Sequence, residues 1–212
     1  LQAVNVVKLP NGLNFKQQTV ICKQMCALYN AKAIVIDING LGKGLLDYML
    51  DRNILDDGTE LEPYDMINTD YRSDYRDAKK LVYGIEAQKN NSEMITNFIN
   101  VVEGSILRIL EHFDVNKALD IPDEDFMVSD VLPFLRTENF ISEVQNITVE
   151  TIPGTGKLKI GQVVRADKDI YSAMIQVCWY VMTFCNDALP DEDEALASFF
   201  SGFISKPKIK RY

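Results

Sequence analysis

The 212-residue sequence has too few metal-binding nitrogen and sulfur side chains in suitable positions for a zinc site. It contains a single histidine, His112, and four cysteines. Cys22 and Cys26 lie four positions apart and Cys178 and Cys185 seven apart, each pair within a helical pattern, so each pair shares one helix face. His112 is remote in sequence from both pairs, which excludes the usual zinc spacings. We expect buried, reduced thiols, as in cytosolic proteins.

Long apolar runs are also missing. No stretch reaches the roughly 18 apolar residues that a membrane helix needs, so we expect no membrane partner. The opening residues, Leu1 to Val4, contain neither a methionine nor the charged start of a signal peptide. We therefore expect residues 1–212 to form a single domain of a longer chain. A hydrophobic content of 47% is sufficient for the core of such a domain.

The chain carries no net positive charge that would attract a polyanion. The formal net charge is −9, which disfavours a generally basic surface. The charge is uneven, with an acidic run over 187–194 and a basic tail over 206–211, both typical of solvated segments. An acidic protein can still bind phosphates through a local basic patch, especially if its carboxylates hold metal ions.

The most informative segment covers residues 33–47. Four apolar residues predict a buried strand that ends at Asp37, and Gly40, Gly42 and Gly44 follow before a helical pattern begins. Burying a carboxylate costs on the order of several kcal/mol unless the carboxylate is paired or bound to a cation. Asp37 is therefore a candidate metal ligand, the alternative being a capping residue of a tight turn. The glycine spacing matches neither the dinucleotide fingerprint nor the P-loop.

Strand and helix patterns alternate along the chain, which predicts an α/β fold with a mixed sheet. The predicted strands are 3–9, the strand ending at Asp37, 81–85, and a hairpin of 147–152 with 157–161 around Pro153–Gly156. The predicted helices are 15–29, 43–52, one capped by Asn91–Ser92 and running to 102, one within 126–145 that Pro133 interrupts, and 168–184. We expect 56–80 to be a surface loop with a short strand at 65–69.

A second acidic group opens the last predicted helix, where Asp167, Lys168 and Asp169 are consecutive. Acidic residues at a helix start are ordinary capping chemistry. Together with Asp37, however, they supply the separated carboxylates from which two-metal sites are built. All-oxygen ligands favour magnesium or manganese.

The order of these segments resembles the C-terminal nuclease domain of the large terminase subunit of tailed bacteriophages. The strand–glycine–helix motif of that family is matched by Ile34–Leu50, and a second helical segment by Asn91–Leu110. The end of the following helix is matched by Glu143–Asn146, the hairpin by 147–160, and the closing helix by Lys168–Tyr180. The resemblance covers about 180 residues, an approximate span read from the aligned motifs.

The resemblance implies a ribonuclease H-like mixed β-sheet flanked by helices, with a β-hairpin near the active site. It implies a metal-dependent DNA endonuclease that uses two Mg²⁺ or Mn²⁺ ions to cut concatemeric viral DNA during genome packaging. Asp37 matches the second metal-binding aspartate of the family and Asp169 the third, with Asp167 as the alternative third ligand. The first aspartate of the family lies on a strand that would precede residue 1.

The resemblance also implies partners. Double-stranded DNA would contact Lys157 and Lys159 of the hairpin, and Lys168 at the helix start, unless these lysines are simply solvated. An ATPase domain, a portal and a small terminase subunit would act with the full-length protein in the cytoplasm of the bacterial host. Two alternatives remain: a ribonuclease H-like resolvase or recombinase, and a non-catalytic docking module of a packaging complex.

Overall fold

The computed structural model describes residues 1–110 and 128–185. Its helices are α1 (Phe15–Leu28), α2 (Gly42–Leu50), α3 (Ala87–Glu103), α4 (Val128–Gln145) and α5 (Asp169–Phe184). Its strands are β1 (Ile34–Asp37), β2 (Asn53–Ile54), β3 (Glu60–Leu61), β4 (Tyr64–Met66), β5 (Lys79–Ile85), β6 (Ile147–Thr151) and β7 (Leu158–Gln162). The acidic run, the basic tail and His112 lie outside the described residues.

The central feature is a small parallel sheet with the order β1-β5-β4. β5 is in the middle and pairs with β1 in the register Asp37↔Ile85, so the carboxyl ends of these two strands are level. The antiparallel pairs β2–β3 and β6–β7 are separate two-stranded sheets. Within the described residues, β1 is paired along one edge only.

Helices cover both faces of this sheet. Successive strand residues point to opposite faces, so Ile34 and Ile36 pack into one hydrophobic cluster while Val35 packs into the other. The first cluster joins the strands to α1 and α2, and the second joins them to α3, α4 and α5. The result is a mixed α/β architecture with a parallel sheet between helical layers.

Aromatic contacts hold α5 against the sheet. The ring of Tyr83 on β5 lies 5.0 Å from that of Tyr180 and 5.1 Å from that of Phe184, measured between centroids. Nearer the start of α5, the Tyr171 ring meets that of Phe98 on α3 edge-on at 5.4 Å. Contacts at both ends of the helix set where its first residues lie.

Several predicted elements are confirmed. The structure contains the helix predicted for 15–29, the strand ending at Asp37, the strand at 81–85, the hairpin at 147–161 and the last helix, each within two or three residues. The hairpin turn relies on glycine, because Gly154 and Gly156 have φ angles of 81° and 68°. The four cysteines are free thiols; Cys26 and Cys178 are buried, as expected, whereas Cys22 and Cys185 are half-buried. Among the described helices, none is long and apolar enough to cross a membrane.

Three local predictions are wrong. Pro133 does not interrupt α4, because Phe140 and Thr137 are buried and this packing outweighs one missing backbone hydrogen bond. The segment 3–9 forms no strand with the described residues, and the nearest bridge pairs Gln2, just before it, with Arg108. The surface loop predicted for 56–80 is wrong in part, because Tyr64 is only 6% exposed, whereas the short strand predicted at 65–69 is present as β4, at Tyr64–Met66.

Candidate functional site

Asp37 lies at the carboxyl end of β1, as predicted, and is half-buried. Its Oδ1 accepts hydrogen bonds from the backbone N–H of Asn39 at 3.1 Å and of Ala87 at 3.4 Å. Ala87 is the first residue of α3, so the carboxylate faces the positive end of that helix. Among the described residues Oδ2 has no hydrogen-bond donor. Asp37 therefore caps two backbone turns and keeps one oxygen free.

The three glycines after Asp37 have local structural causes. Gly40 has a φ of 58°, a left-handed conformation that favours glycine. A Cβ on Gly42 would lie 1.6 Å from the carbonyl oxygen of Asp37, and one on Gly44 would lie 2.6 Å from the ring of Phe15. Tight strand–helix packing thus explains the glycine pattern without a bound phosphate.

Gly42→Ala is therefore expected to destabilise the protein more than Gly40→Ala. The first substitution creates a backbone clash beside Asp37 and should cost at least about 3 kcal/mol of unfolding free energy. The second places a side chain in open space at a positive φ and should cost about 1 kcal/mol. Urea unfolding of both variants measures the difference. Equal losses would show that the close approach of Gly42 to Asp37 is absent in solution.

Glu86 is an acidic residue at the same sheet edge that the sequence argument missed. It directly follows β5 and precedes Ala87, whose amide contacts Asp37. Its carboxylate pairs with Lys89, three residues on in α3. Its position immediately after the predicted strand 81–85 could have identified it, because parallel strands with level carboxyl ends bring the residues that follow them to one sheet edge.

Asn39 supplies a further polar atom close to Asp37 in the chain. Its Nδ2 is buried and has no hydrogen-bond partner within the described ranges. A half-turn of the amide exchanges its oxygen and nitrogen, so this side chain can offer either a donor or an oxygen ligand. An unpartnered buried amide is costly, which favours a polar occupant beside it.

The second acidic segment lies at the start of α5. Lys8 Nζ donates to Asp167 Oδ2 at 2.9 Å, and both side chains are well exposed. This hydrogen bond raises the pKa of Lys8, with smaller contributions from Asp169 and Glu143. Asp169 is the first residue of α5 and accepts no hydrogen bond from another described residue. Of these acids, only Asp167 contacts the Lys8 ammonium.

No hydrogen-bond partner is shared between Asp37 and Asp169 in the described part of the chain. In residues 1–110 and 128–185, no three His, Cys, Asp or Glu side chains form a group that could hold a metal ion. The structure thus presents two acidic positions, one at the sheet edge and one at the start of α5, rather than an assembled metal cluster.

The three lysines predicted to contact DNA differ in their surroundings. Lys159 Nζ pairs at 2.9 Å with Glu150 on the opposite strand of the hairpin, so its charge is largely balanced. Lys157 and Lys168 are exposed and have no ion pair with a described residue. The hairpin contacts α3, where the Ser92 hydroxyl accepts from the Leu158 N–H at 3.0 Å. Ser92 therefore binds the hairpin to α3. The prediction that Asn91–Ser92 caps this helix is wrong, because α3 begins at Ala87.

Comparisons of the chain with protein-family models, with curated proteins and with solved structures found no match.

Proposed function

We propose that this chain is a metal-dependent DNA endonuclease domain with a ribonuclease H-like fold, of the kind that cuts concatemeric DNA during phage genome packaging. The observation that carries the proposal is Asp37, a half-buried aspartate at the carboxyl end of a parallel strand with one oxygen free. The ordered sequence resemblance over the glycine turn, the hairpin and the last helix supports it. The expected setting is the cytoplasm of a bacterial host.

The oxygen donors at the sheet edge suit a hard divalent cation. Asp37 offers Oδ2, and the amide of Asn39, two residues further on, can present its oxygen after a half-turn. Glu86 follows β5 at the same sheet edge, and its carboxylate pairs with Lys89. Carboxylate and amide oxygens are the ligands that Mg²⁺ and Mn²⁺ prefer. The described residues do not complete a three-acid set. A complete set would need an acid from another segment, and the edge of β1 that no described strand pairs with is a place where an additional strand can pair.

Each residue has a defined task in this proposal. Asp37 and Asp169, or Asp167 in its place, would hold the Mg²⁺ or Mn²⁺ ions, which when bound activate water and neutralise charge on the scissile phosphate. Lys157 and Lys168 would bind DNA phosphates, with Lys159 contributing less because it pairs with Glu150. Contacts of this kind follow the backbone and carry no base preference.

The second candidate is a non-catalytic docking module of a packaging complex. The observation that favours it is the lack of a three-acid group within the described residues. Divalent-metal binding separates the two candidates, because a docking module needs no metal. Calorimetric titration of the full-length protein with Mn²⁺ measures this binding directly.

The proposal predicts that an added strand beside β1 raises activity. A chain extended upstream by one acid-bearing strand should nick supercoiled plasmid in Mn²⁺ at least about 100-fold faster than residues 1–212, because ligand charge count largely sets the affinity of all-oxygen sites. The control is the same extension with its acid changed to the amide. Equal rates for the 212-residue and extended chains would show that all ligands lie within 1–212, with Asp167 then the first to test.

A further inference from the structure

The segment that carries Asp167, Lys168 and Asp169 is held on both sides by the end of α4. On one side, the side chain of Asn146 binds Val164, and on the other, the carboxylate of Glu143 binds Tyr171. We propose that Glu143 and Asn146 are positioning residues that place Asp169 and Lys168 for metal and phosphate binding. This inference rests on the proposed nuclease function.

Glu143 takes the place of a missing cap on α5. Lys168 precedes the helix, and its side chain makes no capping hydrogen bond. The Oε2 of Glu143 accepts instead from the backbone N–H of Tyr171, the third residue of α5, at 2.8 Å. A carboxylate is the favourable group at this end of a helix, because it satisfies a free N–H and opposes the positive end of the helix dipole. Glu143 thereby ties the first turn of α5, and with it Asp169, to α4.

Asn146 fixes the other side of the segment through a two-bond contact. Its Nδ2 donates to the Val164 carbonyl at 2.6 Å, and its Oδ1 accepts from the Val164 N–H at 2.8 Å. Its own backbone carbonyl accepts from the Val163 N–H at 3.0 Å. Two parallel bonds from one planar amide set both the position and the orientation of the backbone. Val164 is 65% exposed, so burial of its side chain does not explain why it is held there.

Six residues, 165–170, lie between these two anchor points, and the first four of them make few other contacts with the described residues. Gln162 Nε2 donates to the Ala166 carbonyl at 2.9 Å, and Lys8 reaches Asp167 across exposed surface. Exposed ion pairs of this kind contribute little to stability. The Lys168 carbonyl accepts from the N–H and the hydroxyl of Ser172 at 2.9 and 2.8 Å, within the first turn of α5. The contacts from the end of α4 therefore fix the two ends of 164–171, the stretch that contains Asp169.

The test uses the full-length protein and the variants Glu143→Ala, Asn146→Ala and Glu143→Gln. Both alanine variants should speed amide hydrogen exchange within 163–171 and raise the Mn²⁺ concentration for half-maximal plasmid nicking about 10-fold. The maximal rate at saturating Mn²⁺ should change less than this concentration does. Glu143→Gln keeps an oxygen acceptor for Tyr171 and should restore most of the Mn²⁺ response. Glu103→Ala, at the exposed end of α3, is the matched control.

The outcomes separate this inference from the proposed function. Unchanged hydrogen exchange in both alanine variants would overturn the positioning role, whether or not the protein cuts DNA. Faster exchange with an unchanged Mn²⁺ response would show that the anchors serve the fold alone, which also overturns it. A wild-type protein that neither binds Mn²⁺ nor nicks DNA would overturn the proposed function itself, and with it the functional part of this inference.

Discussion

Replacing Asp37 by asparagine should abolish metal-dependent nicking of plasmid DNA by the full-length protein. We expect a loss of at least about 100-fold, because a direct ligand should matter no less than the outer-shell groups whose removal costs 10–100-fold. The fold should survive, since an amide oxygen can still accept from the N–H groups of Asn39 and Ala87. The unfolding free energy in chelator should change by less than about 1 kcal/mol.

The measurement is nicking of supercoiled plasmid in Mn²⁺, with circular dichroism and urea unfolding to monitor the fold. Asp56→Asn is the matched control, because Asp56 is exposed and lies in the loop between β2 and β3. It should cut at the wild-type rate. A folded Asp37→Asn variant that still nicks DNA at the wild-type rate would eliminate Asp37 as a ligand and leave it as a backbone cap.

The largest stability effect is expected at Lys23, a buried lysine in α1. Its side chain is 1% exposed, and its Nζ donates to the carbonyl oxygens of Asp51 at 2.6 Å and Glu62 at 2.8 Å. Lys23→Ala removes a buried aliphatic stem and leaves both carbonyls unpaired, so it should cost about 3–5 kcal/mol of unfolding free energy. Lys23→Met preserves most of the volume and should cost about 2–3 kcal/mol.

Urea unfolding at neutral pH measures these losses. Lys16→Ala, on the exposed side of the same helix, should change the unfolding free energy by less than about 0.5 kcal/mol. If Lys23→Ala is no more destabilising than Lys16→Ala, the two carbonyl contacts of Lys23 do not exist in solution.

The same lysine predicts a pH dependence of stability. Burial lowers the pKa of Lys23 to about 8, and the nearby Asp51 only partly opposes this effect. The unfolded chain has the ordinary, higher pKa, so between these values it binds more protons than the folded protein, and stability rises with pH. The stability difference between wild type and Lys23→Met should therefore grow between pH of about 7.5 and about 9.5. Both proteins contain the same four thiols, so thiol titration largely cancels in this comparison. A constant difference would contradict the lowered pKa.

The strand, turn and helix around Asp37 could be predicted from the sequence, because neighbouring residues alone determine their pattern. The apolar run before Asp37 is short and β-branched, and three glycines follow it, which predicts a strand, a tight turn and a helix without knowledge of any distant residue. Glu143 and Asn146 could not be assigned a contact in this way. Each binds backbone groups 18 to 28 residues further along the chain, and only the folded arrangement brings them together.

The burial of Lys23 also could not be predicted from sequence pattern. Lys23 lies on the buried face of α1 with Thr19 and Cys26, whereas sequence pattern alone places a lysine on the solvent side. Here α2 and the β3–β4 connection approach so closely that their carbonyl groups replace water around the ammonium. The buried face of α1 thus depends on acceptors supplied by two other parts of the chain.

Local sequence pattern was sufficient to predict the periodic elements: four of the helices, the strands at Asp37 and at 81–85, and the hairpin around Pro153–Gly156. Hydrophobic period and turn chemistry act over a few residues, so they need no tertiary partner. Contacts between distant segments were needed to establish that Pro133 stays inside α4, that 3–9 forms no strand with the described residues, and that the end of α4 anchors the segment before α5. Those outcomes depend on packing and hydrogen bonds between distant segments, whose energies outweigh local preference.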